Sequence, residues 1–283
     1  MKILFTLLAI LCFSLPARVL AFGHITLVDE YYKDGSAAGT VPYADGLKDP
    51  NLQVNLNHLI KEKANELGRR AGGKAALSYE VTVNRPTLFS LVLKAEGNKT
   101  VYSGLNLDAI HGTLLEDRDL LYTNAPDYKN TLEGKKFVYG DDGIHVAGAE
   151  DGPYDTVVPY TAILKAIDVA EGARLLTSYK ITQNAQDMTL RLKAGELIAM
   201  YLDANPTSGN NWVLVDKSAQ PGFLNLGHSF YLPMQNPTGA AGSPGTTILF
   251  CSFANPGDYT VRALYTKSMS TPLRDYVFKF HVE

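Results

Sequence analysis

The sequence predicts a two-part fold, in which an α+β region is followed by an all-β sandwich. Three observations carry this prediction. Residues 51–68 repeat apolar side chains at helical spacing, strand-like alternation follows them, and after residue 186 only short strands separated by glycine and proline remain. The expected parts are a leader over residues 1–21, the α+β region over residues 22–182 and the sandwich over residues 183–283.

The composition is that of a globular protein without a nucleic-acid partner. The chain has 283 residues, of which 46% are apolar and 19% are charged, and its formal net charge is −3. Nucleic-acid-binding proteins usually carry clusters of lysine and arginine. A charge balance this close to neutrality, with a sequence pI of about 6.1, argues against that class of partner.

The leader has the features of a cleaved secretion signal. Lys2 is followed by an apolar run over residues 3–15, by Pro16 and by compact residues that end at Ala21. The run is shorter than the roughly 20 residues that span a bilayer. We therefore predict a secreted or periplasmic protein with no membrane span after cleavage. Cleavage leaves Cys251 as the one cysteine, which excludes an internal disulfide bond in the exported chain.

The α+β region begins with the amphipathic helix, whose apolar face includes Leu56, Ile60 and Leu67 and which Gly68 is placed to end. Alternating apolar residues then predict strands, and Asp142-Gly143 predicts a tight turn between two of them. The predicted strands cover residues 76–84, 87–95, 102–111, 136–139 and 143–147, with a short helix or turn over residues 114–121.

The sandwich region shows short apolar strands at close spacing and no convincing helical stripe. About 100 residues of this kind are typical of two packed antiparallel sheets. The predicted strands cover residues 188–192, 197–202, 212–216, 246–253, 259–265 and 276–282.

The chain lacks the short motifs of nucleotide-binding, metalloprotease, serine-hydrolase and dithiol sites. Its six histidines are scattered singly, and Cys251 lies in an apolar strand where cysteine behaves as a small hydrophobic residue. The acids that stand beside glycines are predicted to be solvated loop acids; they are Asp141, Asp142, Glu150 and Asp151. We predict no enzyme activity, no metal site and no cofactor. Hydrolase activity in the first half is the disfavoured alternative, since no nucleophile arrangement supports it.

The most informative stretch joins two predicted strands. Residues 190–202 contain the turn Ala194-Gly195-Glu196 followed by the predicted strand over residues 197–202, and the loop Asn-Pro-Thr-Ser-Gly at residues 205–209 precedes Trp212 by three positions. This combination resembles the chagasin family of cysteine-protease inhibitors over about residues 188–283. The resemblance implies an immunoglobulin-like sandwich that presents three loops at one end, and these loops would enter the cleft of a papain-like protease as a wedge.

The resemblance also implies which residues bind the protease. The second loop matches the family's glycine-containing loop only loosely, and the family's Arg-Pro-Trp motif is missing from the third loop, where Lys267-Ser268-Met269 stands. Trp212 is expected in the sandwich core rather than on the target. The implied protease-binding residues are Asn205, Pro206, Thr207, Ser208, Gly209 and Asn210 in the first loop, Gly239, Gly242 and Gly245 in the second, and Lys267 and Met269 in the third.

The first half is similar to a second family. Five stretches follow one another in the order found in the extracytoplasmic domain of lysozyme-responsive anti-sigma factors and beside some bacterial peptidoglycan deacetylases. They are residues 79–84, residues 88–93, Leu114-Leu115-Glu116-Asp117, residues 137–144 and Val158-Pro159-Tyr160. The family's glycine-alanine-histidine stretch is not visible here. This resemblance implies a bacterial envelope or secreted protein whose first half binds protein or cell-wall material.

Two functions from different classes follow. The favoured one is a secreted or periplasmic inhibitor of papain-like cysteine proteases, with the first half as a targeting or auxiliary binding unit. The alternative is a cell-envelope or protein-binding module without inhibitory activity. They differ in what the loops at residues 238–245 and 267–272 do, and titration of a papain-like protease separates them.

Overall fold

The computed structural model describes residues 25–35, 37–168, 171–177, 179–186, 188–234, 244–267 and 271–283, without the side chains of residues 173–175, 206, 227 and 228. The predicted leader lies outside these residues. The described chain is rich in strands, which form four sheets. No helix in these ranges is both long and apolar enough to cross a membrane.

The N-terminal part is built on a six-stranded sheet whose spatial order follows the chain order, β1 to β6. Neighbouring strands are antiparallel, except that β2 and β3 run parallel over only three residue pairs, from Ala37–Ala75 to Gly39–Leu77. The strand bounds are β1 Thr26–Asp34, β2 Ala37–Asp45, β3 Ala75–Asn84, β4 Leu88–Glu96, β5 Thr100–Asp108 and β6 Thr113–Leu114.

One long helix, α1 (Pro50–Ala71), covers one face of this sheet. The Asp49 carboxylate accepts a hydrogen bond from the Asn51 amide at 2.9 Å, Pro50 occupies the first turn, and Gly72 ends the helix at φ 71°. Leu56, Ile60 and Leu67 are fully buried in the cluster between helix and sheet. The helix predicted over residues 51–68 is therefore confirmed.

Short elements connect this sheet to the C-terminal part. They are α2 (Asp117–Leu120), α3 (Pro126–Thr131), the three-stranded sheet of β7 (Phe137–Tyr139), β8 (Ile144–Val146) and β9 (Thr156–Val158), and α4 (Glu171–Leu176). The predicted Asp-Gly turn does join β7 to β8.

The predicted sandwich is confirmed as two four-stranded sheets that enclose their own apolar core. One sheet has the order β10-β12-β15-β14 and the other the order β11-β17-β16-β13. The strand bounds are β10 Tyr179–Thr182, β11 Thr189–Leu192, β12 Ile198–Ala204, β13 Asn211–Asp216, β14 Phe223–Pro233, β15 Gly245–Phe253, β16 Gly257–Thr266 and β17 Arg274–Val282.

The two parts share a third apolar cluster. Along β12 and β15, alternate side chains point into the sandwich or outward, and the outward-facing Ala199, Ile248 and Phe250 pack in one cluster with N-terminal residues such as Leu88 and Leu120. Strand β10, which ends at the predicted boundary, already pairs with β12. The boundary at residue 182 stays a prediction, and the shared cluster indicates that the parts stabilise each other.

Sequence analysis assigned no strand to β1, β2 or β14. Strand β1 has no fully buried residue and no regular apolar alternation to detect. In β14 the pairing register with β15 shifts between Asn225 and Ser229, and such an irregularity interrupts the alternation that identifies a strand.

Two buried tyrosines in the shared cluster differ in the hydrogen bonding of their hydroxyl groups. The Tyr139 hydroxyl has no hydrogen-bond partner among the described residues, whereas the equally buried Tyr160 hydroxyl donates to the Gly140 carbonyl at 2.7 Å. We expect Tyr139→Phe to raise the free energy of unfolding by about 1 kcal/mol and Tyr160→Phe to lower it by about 1 kcal/mol. Urea denaturation measures both free energies of unfolding. Equal losses of stability in the two variants would contradict the inference that only the Tyr160 hydroxyl is hydrogen-bonded.

Candidate functional site

The strand ends that flank three connections lie at one end of the sandwich. Ala204 at the end of β12 and Pro233 at the end of β14 both pair with Gly245 at the start of β15, so the strand ends that flank the first connection (205–210) and the second (234–244) are neighbours. Asn211 at the start of β13 pairs with Thr266 at the end of β16, so the strand ends that flank the first connection and the third (267–273) are neighbours as well. We call these three connections the loop cluster.

The first loop is ordered by its own side chains. Asn205 Oδ1 accepts hydrogen bonds from the Thr207 amide at 3.2 Å and from the Thr207 hydroxyl at 2.6 Å. Ser208 Oγ donates to the Asn205 carbonyl at 2.7 Å and accepts from the Asn210 amide at 3.2 Å. Pro206–Ser208 form a single 3₁₀ turn. The loop therefore holds one shape before any partner arrives.

A tyrosine from β16 anchors this loop to the sandwich. The Tyr265 hydroxyl accepts from the Asn205 amide at 2.8 Å, donates to the Asn205 carbonyl at 2.7 Å and lies 3.1 Å from Ser208 Oγ. Tyr265 is 3% exposed, so its position is set by core packing. Sequence analysis missed this residue, because 60 positions separate it from Asn205.

Trp212 packs in the sandwich core, as predicted, and supports the same loop from beneath. It is 6% exposed, and its ring lies 5.0 Å from the Tyr265 ring and 5.4 Å from the Tyr276 ring between centroids. Its indole nitrogen donates to the Asp203 carbonyl at 3.2 Å, and that carbonyl also accepts from Arg274 at 3.0 Å. The strand that leads into the loop is thus held from two sides.

The described residues of the loop cluster include exposed positions in all three connections. They are Thr207 and Gly209 in the first, Met234 and Pro244 in the second, and Lys267, Thr271 and Leu273 in the third. Gly209 has φ 69°, and a Cβ atom there would lie 3.0 Å from Lys267 Cε, so the two loops are in contact. The Ser208 hydroxyl, in contrast, is fully used inside the loop.

The other predicted binding residues fall in three places. Gly239, Gly242 and Met269 lie outside the described residues. Gly245 is buried at the start of β15, where an added Cβ would meet the Leu232 carbonyl, so it lies under the loop surface. Asn205 and Asn210 are half-buried at the base of the first loop.

Several histidines and acids of the first half, which the sequence shows only as scattered residues, form hydrogen bonds or ion pairs with other side chains. His111 pairs with Asp108 and His145 with Asp142, each at 2.7 Å. The prediction of solvated loop acids is confirmed for Asp142 and Glu150, which are exposed in loops, whereas Asp141 and Asp151 are half-buried in theirs. Asp141 binds the buried Arg85 at 2.7 Å, Asp142 binds His145, and Asp151 binds both Arg70 and Lys99. Glu150 is largely exposed, 3.8 Å from Lys136.

In the part of the chain that the structure describes, no three His, Cys, Asp or Glu side chains are grouped so that they could hold a metal ion. Burial raises the pKa of the Cys251 thiol to about 12, which keeps it protonated at neutral pH.

A protein-family model matches most of the C-terminal part. Residues 191–282 match the family model described as Chagasin family peptidase inhibitor I42, which confirms the first resemblance. Members of that family are protease inhibitors and not enzymes. A comparison with curated proteins finds no match.

Solved structures are similar to each part of the chain. A cysteine protease inhibitor from Entamoeba histolytica is 19% identical over 37% of this chain and 94% of its own, with a TM-score of 0.32. PbICP-C, solved in complex with falcipain-2, is 18% identical over 38% and 92%, with a TM-score of 0.26. For the N-terminal half, a DUF3298 family protein from Pseudomonas aeruginosa is 13% identical over 53% and 97%, with a TM-score of 0.32. Likenesses this distant decide nothing further about this chain.

Proposed function

We propose that this chain, whose residues 191–282 match the chagasin family model, inhibits papain-like cysteine proteases reversibly by placing its loop cluster in the active-site cleft. We propose also that residues 1–21 direct its export to the periplasm or outside the cell. No comparison supports a cell-wall or envelope partner for the first half, which stays a prediction.

The observation that carries the proposal is the fixed shape of the first loop. Asn205, Ser208 and Tyr265 satisfy the loop's polar groups internally, as the hydrogen bonds above show. A loop that is ordered before binding loses little conformational entropy when it enters a cleft. This favours slow dissociation of a complex held only by non-covalent contacts.

The exposed part of the loop suits close approach to a catalytic centre. Gly209 carries no Cβ, so its backbone can lie against a partner where any other residue would clash. Thr207 is exposed and offers a small hydroxyl, whereas the hydroxyl of Ser208 serves the loop itself. Inhibition of this kind requires no chemical step on the inhibitor's side.

Titration of papain with the full chain tests the proposal. We expect Thr207→Arg to weaken inhibition at least about 100-fold, because a long charged side chain at the loop tip keeps the loop out of the cleft. The matched control is Thr189→Arg, an equally exposed threonine on β11, which should inhibit like the wild type. The full chain is needed, because residues 183–283 alone would expose the outward face of β12 and β15.

Two results would contradict the proposal. If the wild type fails to inhibit papain or a cathepsin at micromolar concentration, the alternative of a binding module without inhibitory activity is favoured. If Thr207→Arg inhibits as well as Thr189→Arg, the first loop does not form the contact.

A further inference from the structure

An open groove of about 720 Å³ lies on the six-stranded sheet, apart from the loop cluster. Tyr31 and Lys33 of β1 form one side, and Lys74, just before β3, forms the other. The floor consists of small residues, including Ala38 and Ala76. Its volume is in the range of ligand-binding sites. We call it the hairpin groove, since the β1–β2 hairpin forms most of it.

The charge of the hairpin groove is positive and unneutralised. Lys33 and Lys74 are both exposed, and neither has an ion pair or a side-chain hydrogen bond to any residue in the described ranges. None of the described residues that line the groove is acidic. Two ammonium groups without carboxylate partners favour an anionic ligand.

The strand register places the two lysines on opposite sides of the floor. Lys33 pairs with Ala38 across the hairpin, and Ala38 pairs with Ala76, which lies two positions after Lys74. Two strand spacings separate β1 from β3, or roughly 10 Å. A ligand that carries two anionic groups and lies across the alanines can therefore contact both ammonium groups.

The lining distinguishes between classes of polyanion. Among the described lining residues, the polar side-chain groups are the two ammonium groups and the Tyr31 hydroxyl, and the floor is apolar. A sugar chain needs many hydrogen-bond partners for its hydroxyls, and these residues offer few. An extended peptide suits it better, because alternate side chains of a strand project to the same side about 7 Å apart. The Tyr31 ring, 73% exposed, offers an apolar contact for a side chain between the acids.

We propose that the hairpin groove binds an extended acidic peptide segment of a partner protein. Two carboxylates of the peptide contact Lys33 and Lys74, and an aliphatic side chain packs against Tyr31. The groove shares no residue with the loop cluster, so the peptide and a protease are bound independently. This assigns a second partner to the chain beyond the proposed inhibition.

Fluorescence anisotropy with the full chain tests this site, using a labelled eight-residue peptide of alternating glutamate and valine. We expect saturable binding at low ionic strength, weakened at least about tenfold by Lys33→Glu together with Lys74→Glu, and severalfold by Tyr31→Ala. The control pair, Lys48→Glu with Lys217→Glu, makes the same charge change at exposed lysines elsewhere and should leave binding nearly unchanged. Papain inhibition should be unchanged in both pairs.

Three results would overturn the proposal. They are the absence of peptide binding by the wild type, an equal loss in the two lysine pairs, and tighter binding of an oligogalacturonate than of the peptide. The circular dichroism spectrum of each variant confirms that it is folded. Since peptide binding is measured without a protease, its failure is separate from a failure of the proposed inhibition.

Discussion

Replacing Phe250 by alanine is expected to lower the free energy of unfolding of the whole chain by about 3–5 kcal/mol. Phe250 is 2% exposed and lies in the cluster that both parts of the chain share, with its ring 5.8 Å from that of Phe230. The truncation leaves a cavity between the N-terminal elements and the sandwich sheet that contains β12 and β15. Both parts lose contacts at once, so both are expected to unfold in the same transition.

Two spectroscopic signals follow the two parts separately. Trp212 is the single tryptophan of the chain, so its fluorescence reports on the sandwich. The 22-residue α1 is the longest helix in the described ranges, and it dominates the helical circular dichroism. For Phe250→Ala, the urea midpoints of both signals should decrease by the same amount. The same should hold for Phe253→Ala, because Phe253 lies in the core between the two sheets of the sandwich. A helix signal unchanged in Phe253→Ala would show that the parts unfold independently.

Replacing Gly209 by valine is expected to weaken papain inhibition at least about 100-fold. The φ of 69° at this position is unfavourable for a residue with a Cβ, by about 1–2 kcal/mol, and a β-branched side chain makes it worse. The new Cβ would also lie 3.0 Å from Lys267 Cε. The loop is expected to give up its shape, and inhibition depends on that shape under the proposed function. Inhibition constants and urea denaturation measure the two effects.

The control is Gly134→Val, which carries the same backbone cost without the contact. Gly134 has φ 72°, and no atom lies within 4 Å of an added Cβ. We expect a similar loss of stability, about 1–2 kcal/mol, and unchanged inhibition. Equal inhibition by the wild type and Gly209→Val would show that the loop's shape does not matter. Equal weakening in both glycine variants would show that general destabilisation is the cause.

The sequence predicted those elements whose apolar pattern is regular. Helix α1 buries one stripe, and strands such as β12 and β15 are short apolar runs, buried at most positions, between turns, so the local pattern was enough to place them. Strands β1 and β14 escaped prediction, because β1 has no fully buried residue and β14 contains a register shift. A local pattern detects burial against a core, and it fails where that burial is weak or interrupted.

The first loop of the site was recognisable for a similar reason. Pro206 restricts the backbone, Gly209 three positions later allows a positive φ, and Trp212 follows at a family-specific spacing. The groups that hold the loop were not recognisable, because Tyr265 and Arg274 reach it from strands far along the chain. The roles of Ser208 and Gly245 under the loop surface likewise depended on packing.

The sequence by itself determined the long helix, many of the strands, the sandwich, and the turn chemistry of the loop at residues 205–210. Only the tertiary structure decided that both parts share a cluster around Phe250, that Tyr265 anchors Asn205, and that Lys33 and Lys74 face one groove. The physical reason is the range of the interactions. Turns and periodic burial arise between neighbours in the chain, whereas these contacts join surfaces that meet only after folding.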